Sequence, residues 1–97
     1  MLADQLDYVI GVDTHRDRHA LAVVVCASGA AVFEASVAGC AGGYVEALAL
    51  AERWAPARRA FAIEGTGSYG KGLARFLQER GELVLEIDRP RRRGRAG

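Results

Sequence analysis

The sequence predicts an α/β domain in which three antiparallel strands come first and parallel strands are then added through helices. Short apolar runs of strand length alternate with two stretches whose residues favour helix. The first three runs are joined by short connections, as in an antiparallel meander. Each later run follows a helical stretch, which allows it to return parallel to a neighbour. The predicted order of elements is therefore β-β-β-α-β-α-β.

The first three strands are predicted at residues 7–13, 20–26 and 31–37. The second run (ALAVVVC) is apolar on both faces, so this strand should be central. The third run alternates apolar and polar side chains, as expected of a half-buried strand at the edge of a sheet. A polar connection (THRDRH, 14–19) separates the first two strands, and a tight turn at 27–30 precedes the third.

The second half of the chain supplies two helices and two more strands. Pro56 ends the first helix, Ser68 is the expected N-cap of the second, and Gly81 is its expected C-cap residue. Because crossovers are right-handed, the fourth strand should lie beside the first. This order is that of a ribonuclease-H-like (RNase-H-like) mixed sheet. The remaining predicted segments are a loop at 39–43, a helix at 44–54, a strand at 59–64, a helix at 68–80 and a strand at 83–87.

Length and composition are those of one small soluble domain. The chain has 97 residues, of which 51% are hydrophobic and 26% are charged. No apolar run approaches the roughly 18 residues that a membrane span requires. The N-terminus has no basic region followed by an apolar core, so no secretory signal is expected and the predicted location is cytoplasmic. Cys26 and Cys40 lack zinc-like spacing and are interpreted as reduced thiols.

Basic residues are concentrated at the C-terminal end. The net charge is +1, but residues 89–97 hold five of the 13 Lys and Arg residues and no acid. Residues 1–88, the predicted domain, therefore carry eight basic and 12 acidic residues, a net charge of −4. An acidic body with a basic tail is typical of a domain whose tail meets a polyanion. A solvated tail without a partner is the other interpretation.

Two carboxylates are placed at the ends of predicted strands. Asp13 ends the run YVIGVD, and Glu64 ends the run AFAIE and passes at once into a glycine-rich turn. If the two strands are parallel neighbours, their C-terminal ends coincide and the carboxylates lie about one strand spacing apart, ~5 Å. Gly11 and Ala62 share the faces of Asp13 and Glu64, and their small size leaves room for a bulky substrate.

A carboxylate pair in this position suggests phosphodiester chemistry. Mg²⁺ is usually held by one or two carboxylates together with substrate phosphate oxygens. Two such ions stabilise the attacking and leaving oxygens of an in-line displacement at phosphorus. We therefore predict that Asp13 and Glu64 are catalytic ligands of Mg²⁺, with Mn²⁺ as a substitute. A full site usually needs three or four carboxylates, and Asp17 and Asp88 are the other acids expected near this edge.

The segments beside the two carboxylates are candidate contacts for nucleic acid. Backbone N–H groups where a glycine-rich turn opens a helix can bind a phosphate, and arginines neutralise phosphates along a nucleic acid. His15 and His19 either assist with phosphate or protons, or are ordinary surface residues. The predicted nucleic-acid contacts are Thr14, His15, Arg16, Gly65, Thr66, Gly67, Ser68, Tyr69, Arg89, Arg91, Arg92, Arg93 and Arg95.

Three segments together resemble a known family. Residues 10–24 (IGVDTHRDRHALAVV), 60–81 (AFAIEGTGSYGKGLARFLQERG) and 86–97 (EIDRPRRRGRAG) are similar to the N-terminal, RuvC-like catalytic domain of DEDD transposases. These recombinases of insertion sequences use a guide (bridge) RNA. The resemblance implies an RNase-H-like fold, Mg²⁺-dependent DNA cleavage and strand exchange, and partnership with DNA and a guide RNA. It also implies a homo-oligomer without membrane association, located at the nucleoid.

The resemblance further implies four acidic ligands, of which the first maps to Asp13 and the second to Glu64. In the family, an Asp-x-x-Asp pair follows the basic segment, and a later domain carries a nucleophilic serine. The sequence ends at Gly97, before either feature. We therefore expect a fragment or truncated product that holds half of a metal site and does not cut DNA at a useful rate by itself.

One alternative is a dinucleotide-binding, Rossmann-like domain. Gly65, Gly67 and Gly70 match G-x-G-x-x-G after a strand, and acids at Glu86 and Asp88 lie about 20 residues further on, as that fingerprint requires. The charge of Glu64 beside the turn and the three-strand beginning of the chain argue against this function.

Two more alternatives concern the same elements. Actin-like and sugar-kinase ATPases share the β-β-β-α order and an early strand-ending Asp, but they need small residues where this chain has Thr14, His15 and Arg16. A non-catalytic nucleic-acid-binding module built on the same fold is the last interpretation.

Overall fold

A computed structural model describes residues 5–87, which form a mixed β-sheet covered by helices on one face. The observed order of elements agrees with the predicted one, and the α/β class is confirmed. The predicted basic tail at 89–97, and Asp88, lie outside the described residues. The elements are β1 (Tyr8–Thr14), β2 (Arg18–Val25), β3 (Ala31–Ala38), α1 (Ala41–Trp54), β4 (Arg59–Glu64), α2 (Lys71–Glu79) and β5 (Leu83–Ile87).

The strand order across the sheet is β3-β2-β1-β4-β5. β1 is antiparallel to β2 and parallel to β4, so the predicted placement of β4 beside β1 is confirmed. β3 is an edge strand, as predicted. β2 lies inside the sheet, but the central strand is β1.

The connection between β1 and β2 is shorter than predicted. Thr14 and His19 are paired residues of the two strands, and only residues 15–17 lie outside the strands. The N–H of His15 donates to the Arg18 carbonyl at 3.0 Å. Thr14 and His19 are each 1% exposed, so their burial beneath the helices extends the strands beyond the boundary that polarity alone suggested.

Both helices pack on the same face of the sheet, where the rings of Tyr44 on α1 and Phe76 on α2 lie 5.8 Å apart. The other face carries smaller and more exposed side chains, including Ala20 and Ser36. The buried residues that form the hydrophobic core cluster are Ile10, Val12, Leu21, Val23, Val37, Ala47, Ala51, Ala55, Phe61, Ile63, Leu73, Ala74 and Leu77.

Helix α1 begins three residues earlier than predicted. It starts at Ala41 after Cys40, which makes no side-chain capping bond, and it contains Gly42 and Gly43, which the sequence placed in a loop. Gly43 is buried, and a Cβ there would lie 2.6 Å from the carbonyl carbon of Ala38. This close approach of helix and strand, available only to glycine, offsets the low helix propensity of the segment.

Helix α2 begins three residues later than predicted. Its N-cap is Gly70, not Ser68, whose hydroxyl instead donates to the Gly65 carbonyl at 3.3 Å. The C-terminal end agrees with the prediction, since Gly81 has a φ of 81° and the N–H of Glu82 donates to the Leu77 carbonyl. A left-handed glycine after the last turn is a common way to close a helix.

Among the described residues, the helices are too short and too polar to cross a membrane. Cys26 and Cys40 are free thiols, as predicted.

Candidate metal and nucleic-acid site

The two predicted metal ligands lie next to each other at one edge of the sheet. Val12 of β1 and Ile63 of β4 are the last paired residues of the parallel ladder, and Asp13 and Glu64 are the residues that follow them. Adjacent strands are about 4.8 Å apart. Val12 and Ile63 belong to the core, so Asp13 and Glu64 point to the opposite face. The structure therefore brings the two carboxylates together on the open face.

Both carboxylates line one shallow depression of about 370 Å³ on that open face. Its floor is made of residues without large side chains: Gly11, Ala20, Ala22 and Ala62. A Cβ built on Gly11 would meet its nearest neighbour, the Ala22 carbonyl oxygen, only at 4.0 Å. The surface beside the carboxylates is open enough for a large group to approach.

Asp13 is already engaged by a neighbouring side chain. The Nε2 atom of His15 lies 3.2 Å from Oδ2 of Asp13, with 60% and 52% of the two side chains exposed. An exposed pair of this kind is worth little, at about 0 to 1 kcal/mol. A divalent ion can therefore compete for the carboxylate.

Thr14, a predicted nucleic-acid contact, is 1% exposed and uses its hydroxyl within the fold. Its Oγ1 donates to the backbone carbonyl of Glu64 at 2.9 Å. The side chain of Thr14, which follows Asp13 in the chain, is thus hydrogen-bonded to the backbone of Glu64. The sequence suggested a surface role for Thr14 because it placed this residue in the polar connection.

The glycine-rich turn folds back over the end of β4. Gly65 has a φ of 68°, and its carbonyl accepts hydrogen bonds from the N–H groups of Ser68 (2.9 Å) and Gly70 (2.8 Å). A Cβ on Gly70 would lie 2.7 Å from the Glu64 carbonyl oxygen. These contacts support the backbone of Glu64 and leave Tyr69 with 54% exposure on the outside.

The two loops predicted to contact nucleic acid meet in a second, larger depression. Its volume is about 940 Å³, and its walls are residues 14–18 and 65–69, with Glu86 and Ile87 of β5. Ile87 also borders the depression that holds the carboxylates, so the two concave surfaces adjoin. Sequence reasoning proposed the two loops separately, and the fold places them together.

The basic residues of the larger depression differ in their partners. Arg16 lies 3.6 Å from the carboxylate of Asp17, and both side chains are largely exposed. Arg18 donates to the side chain and the backbone carbonyl of Ser36, each at 3.0 Å, and so leans toward β3. The side chains of His15 and Arg16 line this depression and are largely exposed, at 60% and 78%. The arginines predicted to make contacts at 89–95 lie outside the described residues.

A further carboxylate on the open face was missed from the sequence. Glu34 of β3 pairs with Ala22, which pairs with Gly11, and Glu34 lines the same depression as Asp13 and Glu64. Only the register across three strands reveals this proximity. The other acid considered, Asp17, lies in the wall of the larger depression instead.

The donor set fits part of a magnesium site. Carboxylate oxygens are the ligands that Mg²⁺ prefers, and one or two of them are enough when phosphate oxygens and waters complete the shell. Within residues 5–87, no group of three or more His, Cys, Asp and Glu residues is close enough to hold a metal ion. A divalent ion at this edge would receive at most two carboxylate ligands, Asp13 and Glu64, from residues 5–87.

His19, unlike His15, lies beneath the helices. Its ring stacks at 6.3 Å on that of Tyr44, and neither ring nitrogen has a hydrogen-bond partner in the described part of the chain. Burial lowers the pKa of His19 because it disfavours the imidazolium; the backbone of Arg18 opposes this with a smaller effect, and the charge of His15 adds to the lowering. The lowered pKa favours the neutral imidazole, and His19 lines neither depression.

Comparisons with known proteins identify distant structural likeness only. No family model and no curated protein matches the chain. The crystal structure of an Aquifex aeolicus member of the Ppx/GppA protein family has a TM-score of 0.46 at 13% identity, covering 84% of this chain and 35% of that one. A structure of the Aquifex aeolicus PPX-GPPA enzyme has a TM-score of 0.44 at 13% identity, covering 84% and 36%. The chain spans about a third of the length of these proteins.

Proposed function

We propose that this chain is the N-terminal part of an RNase-H-like catalytic domain of a DNA transposase or recombinase, similar to the RNA-guided DEDD transposases. The intact protein would cleave and exchange DNA strands with Mg²⁺ or Mn²⁺, guided by RNA and working as a homo-oligomer. The strongest support is the position of Asp13 and Glu64 side by side on the open face of a β3-β2-β1-β4-β5 sheet.

In this proposal each part of the site has a separate task. Asp13 and Glu64 hold the divalent ion, which when bound stabilises charge on the oxygens of the phosphate undergoing displacement. The small residues of the floor, Gly11 and Ala62, let the phosphodiester backbone approach the carboxylates. His15 and Arg16 face the larger depression and neutralise a phosphate next to the one that reacts.

The chain alone is expected to bind rather than to cleave. Two carboxylates leave an ion with weak protein ligation, and in-line displacement with two ions needs more ligands than the described residues bring together. The basic tail that begins at Arg89 follows β5, whose last residue pairs with Glu64. Arginines that follow β5 in the sequence would add affinity for the nucleic-acid backbone.

Calorimetric titration with Mn²⁺ tests the metal site directly. Asp13→Asn and Glu64→Gln should each weaken Mn²⁺ binding by about tenfold or more, since each removes a charged ligand from a two-carboxylate set. Asp17→Asn is the control, because it removes a more exposed carboxylate from the adjoining loop and should change the affinity by less than about twofold. Equal affinities in all four proteins would refute the metal site.

One observation favours a second candidate, the dinucleotide-binding domain. Gly70 packs directly on the backbone of Glu64 and on Ile63, as the third glycine of that fingerprint does between helix and strand. Thermal unfolding with NAD or FAD separates the two functions, because a ligand that binds only the folded state raises the midpoint. A clear upward shift with either dinucleotide, and none with Mn²⁺, would favour this alternative. Retained nucleic-acid binding without metal binding would instead indicate the non-catalytic module.

A further inference from the structure

We infer that Thr14 is a positioning residue, which sets the separation of Asp13 and Glu64 through its hydrogen bond to the Glu64 backbone. This inference rests on the proposed function, because it concerns the ability of the two carboxylates to share one ion. Thr14 does not contact the ion in this arrangement. It acts through the backbone to which the second ligand is attached.

The two ligands directly follow the last pair of the ladder between β1 and β4. Paired residues run from Tyr8 and Arg59 to Val12 and Ile63, which immediately precede the two acids. On its other side β4 remains paired one residue further, with Glu64 opposite Ile87 of β5. Glu64 therefore directly follows the last pair of β1 and β4 and is itself paired with β5.

The hydroxyl of Thr14 supplies a link at this point. Its Oγ1 lies 2.9 Å from the Glu64 carbonyl oxygen and is the donor of that bond. The residue is 1% exposed, so water does not compete readily for the same carbonyl. Because Thr14 is the next residue after Asp13, this hydrogen bond joins the ends of β1 and β4, which carry the two acids.

The glycine after Glu64 leaves space for this hydroxyl. A Cβ on Gly65 would lie 3.0 Å from Oγ1 of Thr14, closer than side chains normally approach. The φ of 68° at Gly65 is also the left-handed conformation that glycine adopts without cost. The glycine-rich turn thus leaves room for the Thr14 hydroxyl. The carbonyl of Glu64 accepts the hydrogen bond of Thr14 from the β1 side, and Gly70 of the turn packs against the same carbonyl.

The link matters because Mg²⁺ tolerates little change in ligand position. The ion requires near-octahedral geometry with oxygens at about 2.0–2.1 Å, so a small drift of one strand end removes one of the two carboxylates from its shell. Residues that orient metal ligands without touching the ion typically change metal affinity by about 10–100-fold when they are altered. Thr14 occupies that role for Glu64.

Two substitutions of Thr14 separate its hydroxyl from its shape. Thr14→Val keeps the branched shape and removes the donor, whereas Thr14→Ser keeps the donor and removes a methyl group. We expect Thr14→Val to weaken Mn²⁺ binding by about tenfold and Thr14→Ser to stay within about twofold of the wild type. The full 97-residue chain is used, Mn²⁺ alone is the probe, and circular dichroism confirms that each variant is folded.

A merely structural role predicts a different result. In that case Thr14→Val lowers the thermal midpoint but leaves the Mn²⁺ affinity of the folded protein unchanged, which would overturn the inference. If Thr14→Val does not fold, Thr14→Ala is compared with Thr14→Ser, because both lack the methyl group and only the serine keeps the hydroxyl. Equal Mn²⁺ affinity in that pair would also overturn it.

The failure of this inference differs from the failure of the proposed function. If Asp13→Asn and Glu64→Gln do not weaken Mn²⁺ binding, the metal site itself is wrong and Thr14 has nothing to position. If those two variants weaken binding and Thr14→Val does not, the metal site stands and only the role of Thr14 is refuted.

Discussion

His15 and Asp13 form a close pair at the end of β1, with Nε2 of the imidazole 3.2 Å from Oδ2 of the carboxylate. The pair links the larger depression, which His15 lines, to the smaller one, which Asp13 lines. The imidazole therefore occupies a position that a divalent ion bound by Asp13 would contest.

Removal of His15 is expected to leave metal binding intact. Because an exposed pair is worth about 0 to 1 kcal/mol, His15→Ala should tighten Mn²⁺ binding by no more than about fivefold. Calorimetric titration beside the wild type measures the change. A tenfold loss of affinity would show instead that His15 itself holds the ion, and would add a third ligand to the proposed site.

The ion pair between Arg59 and Glu82 should contribute much more to stability than an exposed pair. Its side chains are each 15% exposed, and two N–H groups of Arg59 donate to the two carboxylate oxygens, both at 2.9 Å. Glu82→Gln leaves the Arg59 charge partly buried, and it should lower the free energy of unfolding by about 3 kcal/mol. Urea denaturation measures the loss.

The control for this substitution lies on α2. Arg75 and Glu79 are four residues apart, with 76% and 61% of their side chains exposed. Glu79→Gln should therefore cost no more than about 0.5 kcal/mol. Equal losses in the free energy of unfolding for Glu82→Gln and Glu79→Gln would contradict the claim that burial strengthens the Arg59–Glu82 pair.

Two adjacent glycines of α1 should respond to alanine in opposite directions. A Cβ on Gly43 would overlap the Ala38 backbone, whereas a Cβ on Gly42 meets nothing within 4 Å. Gly43→Ala should lower the free energy of unfolding by at least about 3 kcal/mol, since helix and strand must separate. Gly42→Ala should raise it by about 0.5 to 1 kcal/mol through helix propensity. Thermal unfolding of the two variants distinguishes the close contact from a general preference for glycine.

Buried His19 predicts a loss of stability in acid. The pKa of His19 in the fold lies below the ordinary value of about 6.5, so the unfolded chain takes up a proton first as the pH falls. Stability from the neutral imidazole is therefore complete above about pH 6.5 and decreases below it, by at most about 1.4 kcal/mol per pH unit. Denaturation at pH 7.5, 6.5 and 5.5 tests this.

Substitution of each histidine shows which of the two causes the loss of stability in acid. His19→Phe can stack on Tyr44 without unpartnered nitrogens, and it should flatten the dependence of stability on pH between 7.5 and 5.5. His15→Ala removes the exposed imidazole and should keep most of the wild-type dependence. If the dependence of stability on pH is unchanged in His19→Phe, the loss of stability in acid is caused by other groups.

The arginine tail should set the salt dependence of nucleic-acid binding. Each arginine that neutralises a phosphate adds about 0.7 to 0.9 to the slope of log affinity against log salt. Replacement of Arg91, Arg92 and Arg93 by alanine should therefore reduce the slope by about two. Electrophoretic shifts with a four-way DNA junction and a single-stranded RNA, at three salt concentrations, measure the slope. Arg53→Ala, on α1, is the control, and an equal slope in wild type and triple variant would remove the tail from the interface.

Several features of the fold could be predicted because they depend on neighbours in the sequence. The bounds of β4 and β5 follow from short apolar runs between turn residues, and Gly81 closes α2 because a left-handed residue is needed there. The placement of β4 beside β1 follows from the handedness of crossovers. The same reasoning placed Asp13 and Glu64 at one edge of the sheet.

The errors of prediction arose where contacts between distant residues outweighed local preference. Glycines 42 and 43 are poor helix formers, but Gly43 lets α1 pack on Ala38 and so belongs to the helix. Ser68 is a good N-cap residue, but its hydroxyl bonds within the glycine-rich turn. The polar residues Thr14 and His19 were assigned to a loop, although the helices bury them.

The amino-acid sequence by itself determined the order of helices and strands, the parallel placement of β4 and the two acids at the strand ends, because alternation, turn residues and chain handedness act locally. Only the tertiary structure decided that Thr14 bonds to Glu64, that Glu34 shares the depression of the two acids, and that the His19 ring nitrogens are buried without hydrogen-bond partners among residues 5–87. Those relationships depend on register and packing between residues far apart in the chain, which no local pattern encodes.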